Sequence, residues 1–158
     1  MGEVVVEVKD TIDYELFKKI MNTKTTVHVG HVSGPEVEIA KKLYFGGYSP
    51  GYTSPRGTQM RGRNIPARPY LTDGMMHNEE SIMAGVMSYY KGLIAGKTTG
   101  VAEQIGQMLE QSIIDFVQSN PYAESAPNAK DVVMDKGRNH PLEDTGHLMG
   151  SITSRVTH

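Results

Sequence analysis

The strongest periodic pattern of apolar residues predicts two long helices in the second half of the chain. Over residues 99–118, apolar side chains recur at the helical period: Val101, Ile105, Met108, Leu109, Ile113, Phe116 and Val117. Residues 73–94 carry a broader apolar stripe, which comprises Met75, Met76, Ile82, Met83, Val86, Tyr90 and Leu93. Glycines lie at both ends of residues 96–100, so we expect a turn there and an antiparallel pair of helices.

Methionine is frequent in this chain, and four of its ten methionines lie on the first of these predicted helices. The flexible thioether side chain fills gaps in a core, and it also forms interfaces that can repack. We place Met83 in the core, and for Met75 and Met76 both interpretations stay open.

Short runs near both ends of the chain predict strands. Three consecutive valines favour an extended conformation over residues 3–8, because branching at Cβ stiffens the side chain. Residues 24–32 alternate in polarity, which indicates a strand with one buried face. Residues 150–158 alternate in the same way and predict a final strand.

Shorter helices are predicted over residues 10–20 and 35–43. The second begins at Pro35, whose fixed φ suits the first position of a helix. Residues 120–139 are polar and contain two prolines, so we expect an irregular segment there.

A long basic segment separates the first half of the chain from the two long helices. Residues 45–69 hold five glycines, four prolines and no acidic residue, and their arginines are Arg56, Arg61, Arg63 and Arg68. This composition predicts a long loop, centred on residues 48–64, that is mobile until it orders against a partner. The chain is therefore expected to form one α+β domain over residues 1–158, with a small mixed or antiparallel sheet flanked by two long helices.

Composition excludes several classes of function. The formal net charge is −2, from 16 basic and 18 acidic residues, so the overall balance gives no argument for nucleic-acid binding. The absence of cysteine excludes disulfides, thiolate metal sites and a cysteine nucleophile. No apolar run approaches the length of a membrane span, and we expect no membrane partner.

The tripeptide Asp144-Thr145-Gly146 matches the catalytic motif of aspartic proteases. Such an enzyme needs two facing carboxylates that share a proton, and this chain has one copy of the motif, so a protease would have to be a dimer. The simpler interpretation is a turn in which Asp144 or Thr145 caps a short helix from His147 to Gly150. We prefer the helix cap.

Two other motifs favour structural interpretations. Residues 92–99, GLIAGKTT, imitate a phosphate-binding loop, but only three residues lie between Gly92 and Gly96 where the motif has four. A helix that ends at Gly96 explains them better. His28 and His31 are three residues apart on a predicted strand, so they point to opposite faces and do not jointly bind a metal. We predict no cofactor, no metal and no catalytic residue.

The arginines of the loop have two interpretations of equal weight. Arg56, Arg61 and Arg63 either contact phosphates or carboxylates of a partner, or lie on a solvated loop that orders against a neighbouring subunit. Aromatic residues beside arginines are typical of interface anchors, and here they are Tyr44, Phe45, Tyr48 and Tyr52.

Three segments in a fixed order carry a resemblance to a known family. They are EIAKKLYFGG at residues 38–47, IPARPYL at residues 65–71 and PLEDTGHLMGSITSRV at residues 141–156. This series resembles the tail-completion or neck proteins of long-tailed bacteriophages, also described as head-tail joining or virion morphogenesis proteins. Pro66 and Pro69 would each hold the preceding residue extended, which makes residues 65–71 a stiff strap that presents Arg68 to a carboxylate.

The resemblance implies a structural virion protein without catalysis. It implies a small α+β fold that assembles as a sixfold ring between the head-side connector and the tail tube, with the genome passing through the lumen, in particles built in the bacterial cytoplasm. The residues expected at assembly contacts are Tyr44, Phe45, Pro66, Arg68, Pro69 and Tyr70, with Arg56, Arg61 and Arg63 at the lumen or a partner. A tail terminator, a head-side adaptor and a nucleic-acid-binding module that uses the arginines remain alternatives.

Overall fold

The computed structural model describes residues 15, 18, 25–96, 100–143 and 146–157, and it has the predicted α+β architecture. Within these residues the chain forms seven helices and six strands. The helices are α1 (Glu36–Phe45), α2 (Tyr70–His77), α3 (Glu79–Ile94), α4 (Val101–Gln118), α5 (Tyr122–Ser125), α6 (Lys130–Lys136) and α7 (His147–Gly150). The strands are β1 (Thr26–His31), β2 (Gly47–Ser49), β3 (Tyr52–Thr53), β4 (Gln59–Met60), β5 (Arg63–Ile65) and β6 (Ile152–Thr157).

The first and last described strands pair with each other. β1 and β6 are antiparallel, with Thr26 opposite Thr157 and His31 opposite Ile152. This confirms the strands predicted over residues 24–32 and 150–158, and it brings the two ends of the described chain together. The strand predicted over residues 3–8 lies outside the described residues, as does the helix over residues 10–20 except for Glu15 and Lys18, which are helical.

Helix α4 forms the centre of the packing. Ile113 and Val117 are buried almost completely, and α4 packs against α2, α3 and both strands of the β1–β6 sheet. The structure therefore confirms the predicted helix, which is described over Val101–Gln118, and places Ile105, Ile113 and Val117 of its apolar pattern on the buried face. The core around it comprises Tyr70, Ile113, Val117, Tyr122, Ala126, Leu142, Met149 and Ile152.

The first predicted long helix is two helices. The prediction of one helix over residues 73–94 is wrong: α2 begins at Tyr70, and Asn78, with φ −119° and ψ 41°, separates it from α3. Glu79 and Glu80 follow Asn78, and acidic side chains in a first turn favour the start of a helix. A new helix therefore begins at Glu79, where the apolar pattern alone predicted one continuous helix.

The placement of Met83 in the core is also wrong, because its side chain is about half exposed on the outer face of α3. Apolar residues lie on both faces of α3, so its periodicity did not distinguish the buried face from the exposed one. Of the two methionines left open, Met75 packs partly buried against the core and Met76 is exposed.

Residues 120–139, predicted to be irregular, contain α5 and α6. Gly137, in the left-handed region at φ 73°, ends α6, and its N–H donates to the carbonyl of Val133 at 2.8 Å. The two helices are short, and each turn is stabilised by its surroundings more than by its own propensity.

Helices α2 and α4 approach closely at Gly74. A Cβ at this position would lie 2.7 Å from the Cα of Ile113, and the buried Ser112 hydroxyl donates to the Gly74 carbonyl at 2.6 Å. Only a residue without a side chain fits, because the neighbouring atom belongs to the backbone and cannot turn away.

Gly74→Ala is expected to destabilise the protein by roughly 1–3 kcal/mol, because the added methyl group overpacks the α2–α4 contact. Gly85→Ala is the matched control, since the nearest atoms there belong to the flexible Met108 side chain and alanine favours a helix over glycine. Urea unfolding of both variants measures the difference. Equal stability of the two variants would contradict the packing described at Gly74.

Candidate assembly surface

Residues 47–65 form a β-hairpin in two parts, which we call the arm. β2 pairs with β5, with Gly47 opposite Ile65, and further out β3 pairs with β4, with Tyr52 opposite Met60. The prediction that residues 48–64 lack regular structure is therefore wrong. The strands are two or three residues long and interrupted by glycine and proline, so they carry no alternation long enough to be recognised in the sequence.

Ser54 organises the turn at the tip of the arm. Its hydroxyl oxygen accepts from the backbone N–H groups of Arg56 at 3.2 Å and Thr58 at 3.1 Å. The Ser54 N–H donates to the Thr58 carbonyl, and the Gly57 N–H donates to the Ser54 carbonyl, both at 2.9 Å. The turn closes through its own hydrogen bonds, and Ser54 itself is buried.

Two aspartates on α6 hold the arm against the domain. Asp131 accepts both terminal nitrogens of Arg63 in a two-point ion pair, and it also accepts the backbone N–H of Arg61. The Arg63 hydrogen bonds hold the pKa of Asp131 well below its usual range. A lowered pKa favours the ionised carboxylate, which is the form that the ion pair requires.

The second aspartate binds the tip of the arm. Asp135 accepts the Ser54 hydroxyl at 2.8 Å and Arg56 at 3.2 Å. Hydrogen bonds with Thr58, Ser54 and Arg56 lower the pKa of Asp135. No sequence motif marks Asp131 and Asp135 as partners of the arm, although their spacing of four residues puts both carboxylates on one face of a helix.

These contacts show that two of the three arginines of the arm, Arg56, Arg61 and Arg63, bind carboxylates of the same chain. Arg56 and Arg63 pair with carboxylates of their own chain, and the structure leaves the side chain of Arg61 exposed. A guanidinium that is already bound in two places by a carboxylate is not available for a phosphate. Two of the three arginines expected at a lumen or partner thus serve to fix the arm.

The side chain of Arg68, a residue of the strap, is buried in the protein interior and is not exposed to a partner. Its exposed fraction is 3%, and it donates from Nε to the Ala126 carbonyl at 2.8 Å and from Nη2 to the Pro127 carbonyl at 3.1 Å. The prediction that Arg68 pairs with a carboxylate is wrong, since backbone carbonyls take that place. Burial lowers the pKa of Arg68, but an arginine stays charged in a protein.

The strap is also fixed through its backbone and its prolines. The Arg68 N–H donates to the Leu43 carbonyl at 2.9 Å, which ties the strap to the end of α1. Pro66 is exposed, whereas Pro69 is partly buried directly before the first residue of α2. Of this pair, only Pro66 is freely accessible to a partner.

Tyr70 is fully buried and forms part of a hydrogen-bond chain, so its predicted place at an assembly contact is wrong. Its hydroxyl lies 2.6 Å from Nε2 of His31, and Nδ1 of His31 lies 2.7 Å from the Ser151 hydroxyl. Because the Ser151 hydroxyl donates to the Leu148 carbonyl, it accepts from Nδ1–H, and Nε2 accepts from Tyr70. Burial raises the pKa of Tyr70, which agrees with its role as a donor.

The hydrogen bonds from Tyr70 through His31 to Ser151 do not make Ser151 a nucleophile. A serine is activated when a histidine nitrogen accepts its proton, whereas here Nδ1 of His31 donates to the serine and the serine proton lies on a carbonyl. The histidine, the tyrosine and the serine link β1, α2 and the end of α7. Their hydrogen bonds fix the positions of these three elements relative to one another.

The aromatic residues divide into a group that packs against the core and an exposed group. The Tyr44 hydroxyl is hydrogen-bonded to Thr72 and the Tyr44 ring packs edge-on against Tyr70. Phe45 is 74% exposed, Tyr48 is 67% exposed and Tyr52 is 54% exposed, at the base of the arm and along it. These three large aromatic side chains, at the end of α1 and on the arm that follows it, expose apolar area that a partner can bury.

A groove of about 890 Å³ lies beside the arm, between α1, α6 and α7. Its apolar lining includes Ile39, Leu43, Met60, Ile65, Val132 and Leu148. Basic side chains at Lys42, Arg61 and Lys136 and acidic ones at Glu36 and Glu143 form its margin. Of the three exposed aromatic residues, Tyr52 also lines this groove, whereas Phe45 and Tyr48 lie outside its lining.

The structure describes parts of the two segments that resemble an aspartic-protease motif and a phosphate-binding loop. Gly146, at φ 83°, directly precedes α7, which confirms the predicted short helix over His147–Gly150, whereas Asp144 and Thr145 lie outside the described residues. Residues 92–94 end α3 and Gly96 takes φ 73°, which confirms the helix end predicted there. Lys97 and the two threonines after it are outside the described residues.

The described part of the chain contains no cluster of three or more histidine, aspartate or glutamate side chains able to hold a metal, and none of its helices is long and apolar enough to cross a membrane. Comparisons with protein-family models, with curated proteins and with solved structures found no match.

The resemblance segments are brought together by the fold. The end of residues 38–47 meets the strap at Leu43 and Gly46, where a Cβ on Gly46 would lie 2.7 Å from the Ile65 carbonyl. The strap meets residues 141–156 through Tyr70, which shares a core with Leu142, Met149 and Ile152. Residues that are far apart in sequence thus form one cluster at the base of the arm.

Stability is expected to fall as the pH falls below about 6.5, because burial lowers the pKa of His31 in the folded chain, against a smaller opposing effect of Glu36. The unfolded chain takes up this proton at a higher pH than the folded chain does, so the stabilisation is complete above about pH 6.5 and is lost progressively below it. Urea unfolding at pH 7.5 and pH 5.5 measures the effect. His31→Gln, which does not titrate, should lose less stability between these two pH values, and an equal loss would refute the assignment to His31.

Proposed function

We propose that this chain is a structural subunit of a bacteriophage virion that assembles into a ring at the head-tail junction. The observation that carries the proposal is a set of three exposed aromatic residues: Phe45 at the end of α1, and Tyr48 and Tyr52 on the firmly held arm. The order of the three resemblance segments adds to it, since it is typical of tail-completion and neck proteins. In this role the chain performs no catalysis and needs no cofactor.

An arm of this construction suits assembly better than a mobile loop does. Ordering a flexible loop on binding costs conformational entropy, whereas the ion pair of Arg63 with Asp131 and the bonds of Ser54 with Asp135 fix the arm within one chain. Aromatic side chains on such a support bury a large apolar area when they bind. They have the chemistry of interface hot spots.

A ring requires that each subunit offer two different surfaces to its neighbours. Here we assign the exposed Phe45 and Tyr48 to one surface and the apolar groove between α1, α6 and α7 to the other. Each copy would insert its aromatic residues into the groove of the next. The sixfold number follows from the resemblance, and so do the adjoining head-side connector and the tail tube or tail terminator.

The alternative of a nucleic-acid-binding module has less support. Arg56 and Arg63 are paired with Asp135 and Asp131, so the arm presents little free positive charge. Arg61 is exposed and would give at most weak, sequence-independent contact with DNA in a lumen. The ring proposal accommodates that contact without depending on it.

The double substitution Phe45→Ser and Tyr48→Ser tests the proposal in a phage whose copy of this gene is inactivated. The wild-type chain, supplied in trans, is expected to restore joined, infectious particles, whereas the double variant should leave heads and tails separate. The expected loss is roughly 2 kcal/mol or more of subunit association per aromatic side chain. Electron microscopy and infectious titre measure the outcome.

Val32→Ser is the matched control, because Val32 is a similarly exposed apolar residue that is not part of the arm and directly follows β1. It should join heads to tails as well as the wild type does. Joined particles in the absence of any copy of the chain would refute the proposed function. Full activity of the double variant would refute the assigned surface.

A further inference from the structure

Helix α3 carries a second exposed apolar surface, which we call the outer stripe. It consists of Met83, Met87, Tyr90 and Ile94, each more than half exposed. These residues are spaced by four, three and four positions, the seam spacing of helices that pair with another helix. Among the described elements, the helix that packs extensively against α3 is α4, and it covers the opposite face, at Gly85.

The outer stripe is complementary to itself when two copies of α3 run antiparallel. If a two-fold axis passes between residues 85 and 86, Met87 of one copy lies level with Ala84 of the other, one residue or about 1.5 Å from that copy's Met83. Met83 and Met87 of the two copies therefore alternate along the seam, in the arrangement in which side chains of packed helices interdigitate.

The charges on the same face fit the same arrangement. Glu80 and Lys91 are exposed, and neither forms an ion pair with another residue in the described part of the chain. In the antiparallel register that matches Met87 with Ala84, Glu80 of each copy lies level with Lys91 of the other. Two ion pairs would then enclose the apolar centre, whereas a parallel pair would place glutamate beside glutamate.

We propose that two copies of this chain associate through α3 as an antiparallel, two-fold symmetric pair. Such an interface uses the same surface on both copies and closes after two subunits. It is therefore distinct from the ring contact, which joins two different surfaces, and does not rest on the proposed function. In this pair, the outer stripe of each copy packs against the outer stripe of the other.

The size of the surface sets the expected strength. Sixteen helical residues span about 24 Å, which gives an interface at the small end of specific protein contacts. The pair should therefore dissociate on dilution, with a dissociation constant in the range of micromolar to hundreds of micromolar. Sedimentation equilibrium over this range of protein concentration measures it.

Met87→Glu places a charge at the centre of the seam and is expected to raise the dissociation constant at least about tenfold. Met134→Glu is the matched control, because Met134 is an exposed methionine on α6. It should leave the dimer unchanged. A wild-type chain that stays monomeric up to millimolar concentration would overturn the proposal, as would a dimer that Met87→Glu does not weaken.

Charge exchange tests the register. Glu80→Lys and Lys91→Glu should each weaken the dimer, since each places like charges level with one another, and the double variant should restore it. A parallel pair or a different register predicts no such rescue, so its absence would overturn the antiparallel arrangement. A closed ring that Met87→Glu disperses would also overturn it, by assigning the outer stripe to the ring contact.

The lack of cysteine in the chain permits a direct cross-linking test. In a mixture of two single variants, Glu80→Cys and Lys91→Cys, oxidation should form the mixed disulfide. Each variant alone should cross-link poorly, because two copies of the same position lie about 16 Å apart along an antiparallel pair. Preferential cross-linking of Glu80→Cys with itself would instead indicate a parallel pair and refute the proposal.

Discussion

The buried guanidinium of Arg68 is the constraint on which the arrangement of the assembly surface depends. It binds the carbonyls of Ala126 and Pro127 and thereby fixes the segment that leads into α6. A buried cation is tolerated only where acceptors surround it, and the segment before α6 supplies the two carbonyls at hydrogen-bond distance. Helix α6 in turn supplies Asp131 and Asp135, which hold the arm. The contacts of Arg68 thus help to position α6 and, through α6, the arm that carries the exposed Tyr48 and Tyr52.

The elements with a clear period were predictable from sequence, and the arm was not. The regular spacing around Ile105 and Ile113 identified α4, and the alternation near both ends identified β1 and β6. The arm depends on Asp131, which lies 68 residues beyond Arg63 in the chain. A local pattern contains no information about such a partner, so glycine and proline in the arm suggested a loop.

The errors at Met83 and Arg68 have a common physical origin. Sequence patterns assign apolar residues to the core and charged residues to the surface. In this chain the methionines on the outer face of α3 are exposed, while a strap of two prolines carries an arginine into the interior. Of the residues expected at assembly contacts, Phe45 and Pro66 are exposed, whereas Tyr70 and Arg68 support the site from inside.

Amide hydrogen exchange along residues 47–65 of the isolated chain tests most directly whether the arm is ordered before assembly. The account predicts protection of the Ser54 and Gly57 amides, whose N–H groups are bonded within the turn, in dilute protein without any partner. Exchange of these amides at the rate of an unstructured peptide would contradict it, since the arm would then be a loop that orders only on binding.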